Sequence, residues 1–130
     1  MIKLFLDDVR NPSDCASYMY QRIGALNPIY LEGEWLIVRN YEQFCNALDR
    51  YEQDITVISF DHDLADGHYH ESMSESSEAY EQHLKTVKEK TGLDCAKYFK
   101  EKFKNKQVWP QLLVHSMNPV GTENIINLFK

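Results

Sequence analysis

The sequence contains no apolar run of the roughly 18 residues that a membrane-spanning helix requires. Its N-terminus, MIKLFLDD, lacks the pattern of a secretory signal peptide. Cysteine is scarce as well, because only Cys15, Cys45 and Cys95 occur and no pair has C-x-x-C spacing. We therefore expect buried thiols in a reducing cytoplasm, with no disulfide, no zinc site and no membrane partner.

Basic residues are in the minority, with 14 Lys and Arg against 20 Asp and Glu and a net charge of −6. Duplex nucleic acid requires a dense cationic face, so we expect no duplex partner. A small phosphorylated ligand or an RNA end, held by one or two arginines, is compatible with this charge. The length of 130 residues and the hydrophobic content of 43% predict one globular domain over residues 1–130. The sequence carries no indication of the oligomeric state.

Short apolar runs alternate with amphipathic helical patterns along the chain. The run ITVISF is β-branched and almost continuously apolar, as is typical of a strand that is covered on both faces. This alternation predicts an α/β fold with a parallel, layered sheet. The predicted strands are 3–7, 35–39, 55–60 and 111–115, and the predicted helices start after Asn40, after Thr91 and at Gly121.

Two segments interrupt this alternation. Residues 11–34 contain prolines and glycines, so we expect a loop there with a short helix near Ala16–Ile23. Residues 65–90 form a polar insertion, for which we expect a loop followed by an amphipathic helix. Because its first part, 65–78, is rich in serine and can bury almost nothing, we expect it to be mobile and to act as a lid.

A polar cluster follows each predicted strand directly. In an open parallel sheet the carboxyl ends of the strands share one edge, and ligands bind beyond that edge. We therefore expect the clusters to meet at one site, although each of them alone is also typical of a turn or a solvated surface. The clusters are Asp7–Asp8, Arg39–Asn40, Asp61–His62–Asp63 and His115–Ser116.

Groups for acid–base chemistry and for phosphate binding occur together in these clusters. His62 and His115 can supply a general base and a general acid near neutral pH. Arg10 and Arg39 can bind phosphate oxygens through paired N–H groups, and the amides of VGTEN, at the start of the last helix, offer an anion site. The carboxylates either hold a hard cation such as Mg²⁺ or fix the tautomers of the histidines. Together these groups predict a pocket that cleaves phosphoesters.

Five motifs in this sequence resemble those of the cyclic-phosphate processing receiver-like domain family. They are LFLDDVRNP, VRNYEQF, SFDHDL, GLDCAKYF and VHSMNPVGTENI, and they run from residue 4 to about residue 126. The family is similar to response-regulator receivers. The resemblance therefore implies a doubly wound, flavodoxin-like, three-layer fold with a short, mainly parallel four-stranded sheet in the order 2-1-3-4.

The resemblance also implies roles for single residues. The acidic pair of a receiver matches Asp7 and Asp8, its phospho-acceptor aspartate matches Asp61, and the hydroxyl after its fourth strand matches Ser116. A receiver continues into a fifth strand that ends in lysine, whereas this sequence stops at Lys130. Aspartyl-phosphate signalling is therefore not expected. The chain instead carries the histidines, the second aspartate and the asparagine of the cyclic-phosphate family.

The predicted activity is processing of a cyclic phosphate, such as a 2′,3′-cyclic RNA end, a cyclic nucleotide or an ADP-ribose cyclic phosphate. The alternative is a catalytically inactive receiver-like module for binding or regulation. A metal-dependent nuclease on longer nucleic acid is disfavoured by the acidic charge. The predicted catalytic residues are His62, His115, Asp61 and Asp63; the predicted substrate-binding residues are Arg10, Arg39, Ser116, Asn118 and Asn124; and the predicted Mg²⁺ ligands are Asp7, Asp8 and Asp61.

Overall fold

The computed structural model describes residues 1–15, 28–64 and 90–130. Within these ranges, strands alternate with helices along the chain as the sequence predicts. The strands are β1 (Ile2–Leu6), β2 (Trp35–Val38), β3 (Ile55–Phe60) and β4 (Gln111–Val114); the α-helices are α1 (Tyr41–Tyr51), α2 (Gly92–Phe103) and α3 (Pro119–Leu128); and a 3-10 helix spans Pro28–Tyr30.

The four strands form one parallel sheet in the order β2-β1-β3-β4. This is the order 2-1-3-4 that was expected, so the receiver-like α/β fold is confirmed. The central pair, β1 and β3, carries the apolar runs, and β3 is buried at every position except Thr56. A strand that is buried on both faces does not alternate apolar and polar residues, which explains why β3 is almost continuously apolar.

Both faces of the sheet are covered by packed side chains. Alternate residues of a strand point to opposite faces, so β1 contributes to two clusters. On one face, Leu6 and Phe60 belong to the large core, which also contains buried residues of all three α-helices. On the opposite face, Phe5 packs with Cys15 and Tyr30 in a smaller cluster. The site residues described below lie where these two layers meet the carboxyl ends of the strands.

Two of the three predicted helix starts are confirmed. The side chain of Asn40 accepts a hydrogen bond from the backbone amide of Gln43 and caps α1. Thr91 and Asp94 form the reciprocal capping box that precedes α2. The cap at Asn40 places the start of α1 directly after the carboxyl end of β2.

The predicted start of the last helix is wrong by two residues. The helix begins at Pro119, and Asn118 is its N-cap, with the side-chain oxygen accepting a hydrogen bond from the amide of Gly121 at 3.0 Å. Proline is well suited to a first helical position, because its fixed φ is helical and its missing N–H would have no partner there. The sequence Asn-Pro, which is also common in turns, is therefore a helix start here. The strands β1, β2 and β4 also end one residue earlier than predicted.

Some predictions concern segments outside the described residues. These are the short helix near Ala16–Ile23 and, within the insertion 65–90, the mobile lid over 65–78 and the amphipathic helix; only residue 90 of the insertion is described. In the three described ranges, no helix combines the length and apolarity that crossing a membrane would require.

Candidate active site

Three functional side chains come from the first residue after a strand. The parallel ladder continues by one hydrogen bond beyond the strands, because the amides of Asp7, Asp61 and His115 donate to the last carbonyl of the neighbouring strand at 3.1, 3.0 and 3.0 Å, respectively. The three residues are therefore at the same level of the sheet. One donor atom from each side chain lies within 4.8 Å of the others. The convergence expected for a parallel sheet is thus present at this edge.

Asp7 is held from two sides. One carboxylate oxygen accepts the amides of Val9 and Arg10 at 3.0 and 2.8 Å, and the other lies 3.1 Å from Nε2 of His115. Burial alone would raise the pKa of Asp7, but the hydrogen bonds from His115 and from these amides outweigh it and lower the pKa to about 2. Asp7 is therefore ionised, and since an ionised carboxylate only accepts, Nε2 of His115 carries a hydrogen in this arrangement.

His115 is enclosed on all sides. Its ring stacks on Phe5 with centroids 4.3 Å apart, and its Nδ1 lies 2.6 Å from the hydroxyl of Ser59. Burial lowers the pKa of His115, and the neighbouring charge of Asp7 only partly opposes this effect. His115 is therefore a neutral, oriented imidazole with one nitrogen directed towards the carboxylates.

Asp61 has the most perturbed carboxyl group at this edge. Its side chain is 1% exposed, and one oxygen accepts the amide of His62 at 2.8 Å. Burial raises its pKa to about 8, and the charges of Asp7 and Asp63 add to the shift. Near neutral pH this carboxyl group consequently holds a proton unless a cation or another positive charge replaces it.

His62 belongs to a second cluster, which is also buried. Its Nδ1 lies 2.9 Å from Oδ1 of Asp63, and the same oxygen accepts Nδ2–H of Asn118 at 3.0 Å. All three side chains are fully buried. The side-chain oxygen of Asn118 meanwhile caps α3, so one asparagine connects the start of that helix to the histidine–aspartate pair. This pair has the geometry in which a carboxylate orients an imidazole.

Two glycines allow the loop of His62 to lie against the helix starts. A Cβ on Gly92 would lie 1.6 Å from the carbonyl oxygen of Asp61, and a Cβ on Gly121 would lie 2.3 Å from Cγ of His62. The amide of Gly92 also donates to the carbonyl of His62 at 2.7 Å. Neither position can hold a larger residue without a shift of the loop that carries the site.

We expect Gly92→Ala to destabilise the fold by at least about 3 kcal/mol, because the clash is with backbone that cannot rotate away. We expect Gly121→Ala to displace the ring of His62 as well. Gly33→Ala is the control: its φ of 64° favours glycine, but its nearest neighbour is the flexible end of Lys3 at 3.4 Å, so about 1 kcal/mol is expected. Urea unfolding measures the stability of all three variants. If Gly92→Ala loses no more free energy of unfolding than Gly33→Ala, the close packing at Gly92 is contradicted.

The two arginines differ in their surroundings. The guanidinium of Arg39 donates to the backbone carbonyls of Asp7 and Arg10 at 3.1 and 2.6 Å, and to the side chain of Asn11 at 2.8 Å. These contacts hold the loop after β1 in place, and the binding of phosphate by Arg39 stays a prediction. Arg10 is half-buried, and its Nη2 reaches the sulfur of Met117 at 3.6 Å. Since β3 lies between β1 and β4, this contact spans the mouth of the site.

The other predicted residues lie around this edge with different degrees of burial. Asp8 is half-buried, and burial together with the charge of Asp7 raises its pKa. Ser116 is buried, and its hydroxyl accepts the amide of Asn118 at 3.1 Å. Asn124 is half-buried in the second turn of α3. Ser116 thus belongs to the loop after β4, which follows His115 directly at this edge.

Among the described residues, the group that could hold a metal ion consists of Asp7, Asp61 and His115, all buried. Opposite ligands of a small octahedral cation lie about 4 Å apart, so the spacing of up to 4.8 Å within this group is compatible with one ion after a small adjustment. This group shares Asp7 and Asp61 with the predicted Mg²⁺ ligands and also contains His115, and a role for Asp8 stays a prediction. Two carboxylates with one imidazole accommodate Mg²⁺, and the nitrogen donor also suits Mn²⁺ or Zn²⁺.

Sequence reasoning did not identify Ser59, Tyr30, Gly92 or Gly121 as parts of the site. Ser59 is the only hydroxyl at a buried position of β3, and this interruption of ITVISF was the signal that could have revealed it. The two glycines stand at helix starts, where a glycine is not unusual. Their contacts with the loop of His62 depend on the tertiary packing.

The fold and this site together define a receiver-like domain in which buried histidines accompany the acidic residues. The model of the family described as the cyclic-phosphate processing receiver domain matches residues 2–130. The chain therefore belongs to this family. No curated protein and no solved structure gives a significant match to the chain.

Proposed function

We propose that the protein is a hydrolase that opens a five-membered cyclic phosphate to a phosphate monoester. One observation carries the proposal: His62 and His115 each contact a buried carboxylate, and Asp61 lies in the group of Asp7 and His115 while it accepts the backbone amide of His62. Opening such a ring requires a base for the attacking water and an acid for the leaving oxygen. Two oriented imidazoles at one sheet edge can supply both.

In the proposed reaction, water attacks phosphorus and gives a proton to Nε2 of His62. Asp63 supports this role, because it accepts from Nδ1 and thereby leaves the lone pair on the other nitrogen and stabilises the positive charge that forms. One ring P–O bond breaks, and the leaving oxygen takes the proton of Nε2–H from the cationic form of His115. This form is the minor one, because burial lowers the pKa of His115, and the ring returns to its neutral form when the proton leaves. At that moment the leaving oxygen replaces the carboxylate of Asp7 as the acceptor.

The phosphate itself needs positive charge and hydrogen-bond donors. We propose that Arg10 binds its non-bridging oxygens, because this side chain lies at the mouth of the site beside Met117. Arg39 contributes indirectly, because it holds the loop that carries Asp7 and Arg10. Ser116 and Asn118 line the wall on the side of β4, where they help to orient the ligand.

A divalent cation would take over the role of the proton on Nε2 of His115, because one nitrogen cannot both bind a cation and carry a hydrogen. Asp7, Asp61 and His115 would hold it, with Mg²⁺ as the first candidate. When bound, it would withdraw charge from the phosphate oxygens and promote the attack of water. In its absence Asp7 remains the partner that orients His115. Binding would also displace the proton that burial favours on Asp61.

The experiment that tests the activity is incubation of the pure protein with a panel of cyclic phosphates, with Mg²⁺ and with EDTA. The panel includes 2′,3′-cyclic mononucleotides, RNA with a 2′,3′-cyclic end and ADP-ribose cyclic phosphate. We expect conversion of at least one compound to a monoester, which ³¹P NMR detects directly. RNA repair and nucleotide metabolism in the cytoplasm are the settings in which such compounds arise, and we propose them as the context.

The burial of both histidines favours a second candidate, a receiver-like module that binds a ligand or partner without turnover. His62 is 0% exposed and His115 is 1% exposed, which is also typical of structural imidazoles. Binding of a cyclic phosphate without conversion, in the presence and in the absence of Mg²⁺, would support this candidate over the hydrolase.

We expect Arg10→Ala to weaken binding of the cyclic phosphate by about 10-fold to 100-fold, because it removes a charged hydrogen bond of roughly 1.5–3 kcal/mol. Arg10→Lys should recover only part of this loss, since an ammonium group cannot donate two parallel N–H groups. Isothermal titration measures both variants. Arg50→Ala is the control, because Arg50 lies over the ring of Tyr51 on α1. Equal affinities for Arg10→Ala and the control would remove Arg10 from the binding site.

A further inference from the structure

One buried hydroxyl on β3 has no role in the reaction described above. Ser59 is fully buried, and it lies on the face of the sheet that carries the small aromatic cluster of Phe5 and Tyr30. A hydroxyl at such a position costs stability unless it is hydrogen-bonded. An alanine or a valine would be the ordinary residue there, so the partners of this hydroxyl indicate why a serine occupies the position.

The hydroxyl of Ser59 connects two groups on the same face. It lies 2.6 Å from Nδ1 of His115 and 2.9 Å from the phenolic oxygen of Tyr30. The ring of Tyr30 is itself fixed, because it stacks on Trp35 with centroids 5.7 Å apart and lies edge-on to His115 at 6.2 Å. A continuous chain of hydrogen bonds therefore runs from the tyrosine through the serine and the imidazole to Asp7.

The two ends of this chain differ in their chemistry. Asp7 is ionised and can only accept, whereas the hydroxyls of Ser59 and Tyr30 can each donate or accept. When Nε2 of His115 carries the hydrogen, Ser59 donates to Nδ1. When Nδ1 carries the hydrogen, Ser59 accepts it. The serine therefore satisfies Nδ1 whether or not this nitrogen carries a hydrogen, and the ring needs no rotation to keep Nε2 directed towards Asp7.

We propose that Ser59 and Tyr30 are positioning residues for His115, and that their hydroxyls hold its ring so that Nε2 faces Asp7 and Asp61. The proposal rests on the role of His115 in the proposed hydrolase, but it makes a separate statement about the ring. Phe5 supports the same orientation from the side, because its ring stacks on the imidazole at an interplanar angle of 10°. No ligand is needed for this arrangement.

The ring can be examined in the protein without substrate, by ¹⁵N NMR of the histidine side chains. The spectrum of His115→Asn identifies the signals of His115. In the wild type we expect Nδ1 to show the shift of a lone pair that accepts a hydrogen bond. In Ser59→Ala this signal should move downfield, and Ser59→Thr, which restores a hydroxyl, should return it. Tyr98→Phe is the matched control, because it removes a phenolic hydroxyl bound to Asp49 on the other side of the molecule.

Turnover provides the second readout. We expect Ser59→Ala to lower kcat about 10-fold to 100-fold with little change in KM, the usual cost of removing the partner of a functional histidine. Tyr30→Phe should have a smaller effect. The double variant should be no worse than Ser59→Ala alone, because the tyrosine acts only through the serine.

Different results overturn different statements. If Ser59→Ala leaves the Nδ1 signal unchanged, as Tyr98→Phe should, the serine does not position His115 and the proposal is wrong. If Ser59→Ala moves the signal while the wild type converts no cyclic phosphate, the positioning is supported and the hydrolase is not. If the wild type turns over substrate and Ser59→Ala shifts the signal but keeps full kcat, the orientation of His115 by this pair does not serve the reaction.

Discussion

His62→Ala and His115→Ala are each expected to lower turnover of a cyclic phosphate by about 10²–10⁴, the usual contribution of one placed acid or base. Binding should largely survive, because the phosphate is assigned to Arg10. The two histidines act in the same step, so the double variant should lose less than the product of the single losses. Single-turnover measurements at saturating substrate separate the chemical step from binding.

The control for these variants is Thr91→Ala. It removes a capping hydroxyl near the same edge and should cost about 1 kcal/mol of stability, but it removes no group that exchanges protons. Turnover by Thr91→Ala should remain close to wild type at a temperature where all variants are folded. If both histidine variants retain wild-type turnover, the imidazoles are structural and the proposed mechanism is wrong.

The second large effect concerns stability and pH. The pKa of Asp61 is about 8 in the folded protein and near 3.8 in the unfolded chain. Between these values the folded state holds a proton that the unfolded state has released, so this residue makes stability fall as the pH rises from about 4 to 8. Asp61→Asn has no such titration. We therefore expect the variant to match the wild type near pH 4 and to exceed it by about 2–4 kcal/mol near pH 8.5.

Asp7 affects the pH dependence of stability in the opposite direction. Its pKa is lowered to about 2, so the stability that it provides is present above pH 3.8 and is lost as the pH falls towards 2. Urea unfolding in EDTA at several pH values measures both effects. Asp49→Asn is the control, because this carboxylate is exposed on α1 and contacts Lys102. A wild type that is as stable as Asp61→Asn at pH 8.5 would mean that the carboxylate of Asp61 is ionised there at no cost.

The sheet was predictable because its evidence is local and repeated. Each strand is a short apolar run, and each run is followed directly by polar residues. A parallel sheet then requires that Asp7, Asp61 and His115 share one edge. The cap at Thr91 was equally clear, since it depends on two residues three positions apart. Patterns of this kind are complete within a few residues, so the sequence reveals them without the tertiary structure.

What the sequence did not reveal depends on contacts between distant segments. The guanidinium of Arg39 could be assigned to phosphate or to carbonyls only after the path of the loop after β1 was known. The presence of His115 beside Asp7 and Asp61 in the possible metal site likewise depends on the packing of distant strands. The link from Tyr30 to Ser59 joins residues 29 positions apart. Nothing in either local sequence indicates the other.

The parallel ladder continues by one hydrogen bond beyond the strands, and these bonds involve only backbone atoms. The course of the backbone at this edge is therefore set independently of the functional side chains. The amides of Asp7, Asp61 and His115 fix their positions by backbone contacts alone, which do not depend on the identity of the side chains. Substitution at these positions can therefore change the chemistry of this edge while the sheet persists. One scaffold presents different side chains along a single rim in this way.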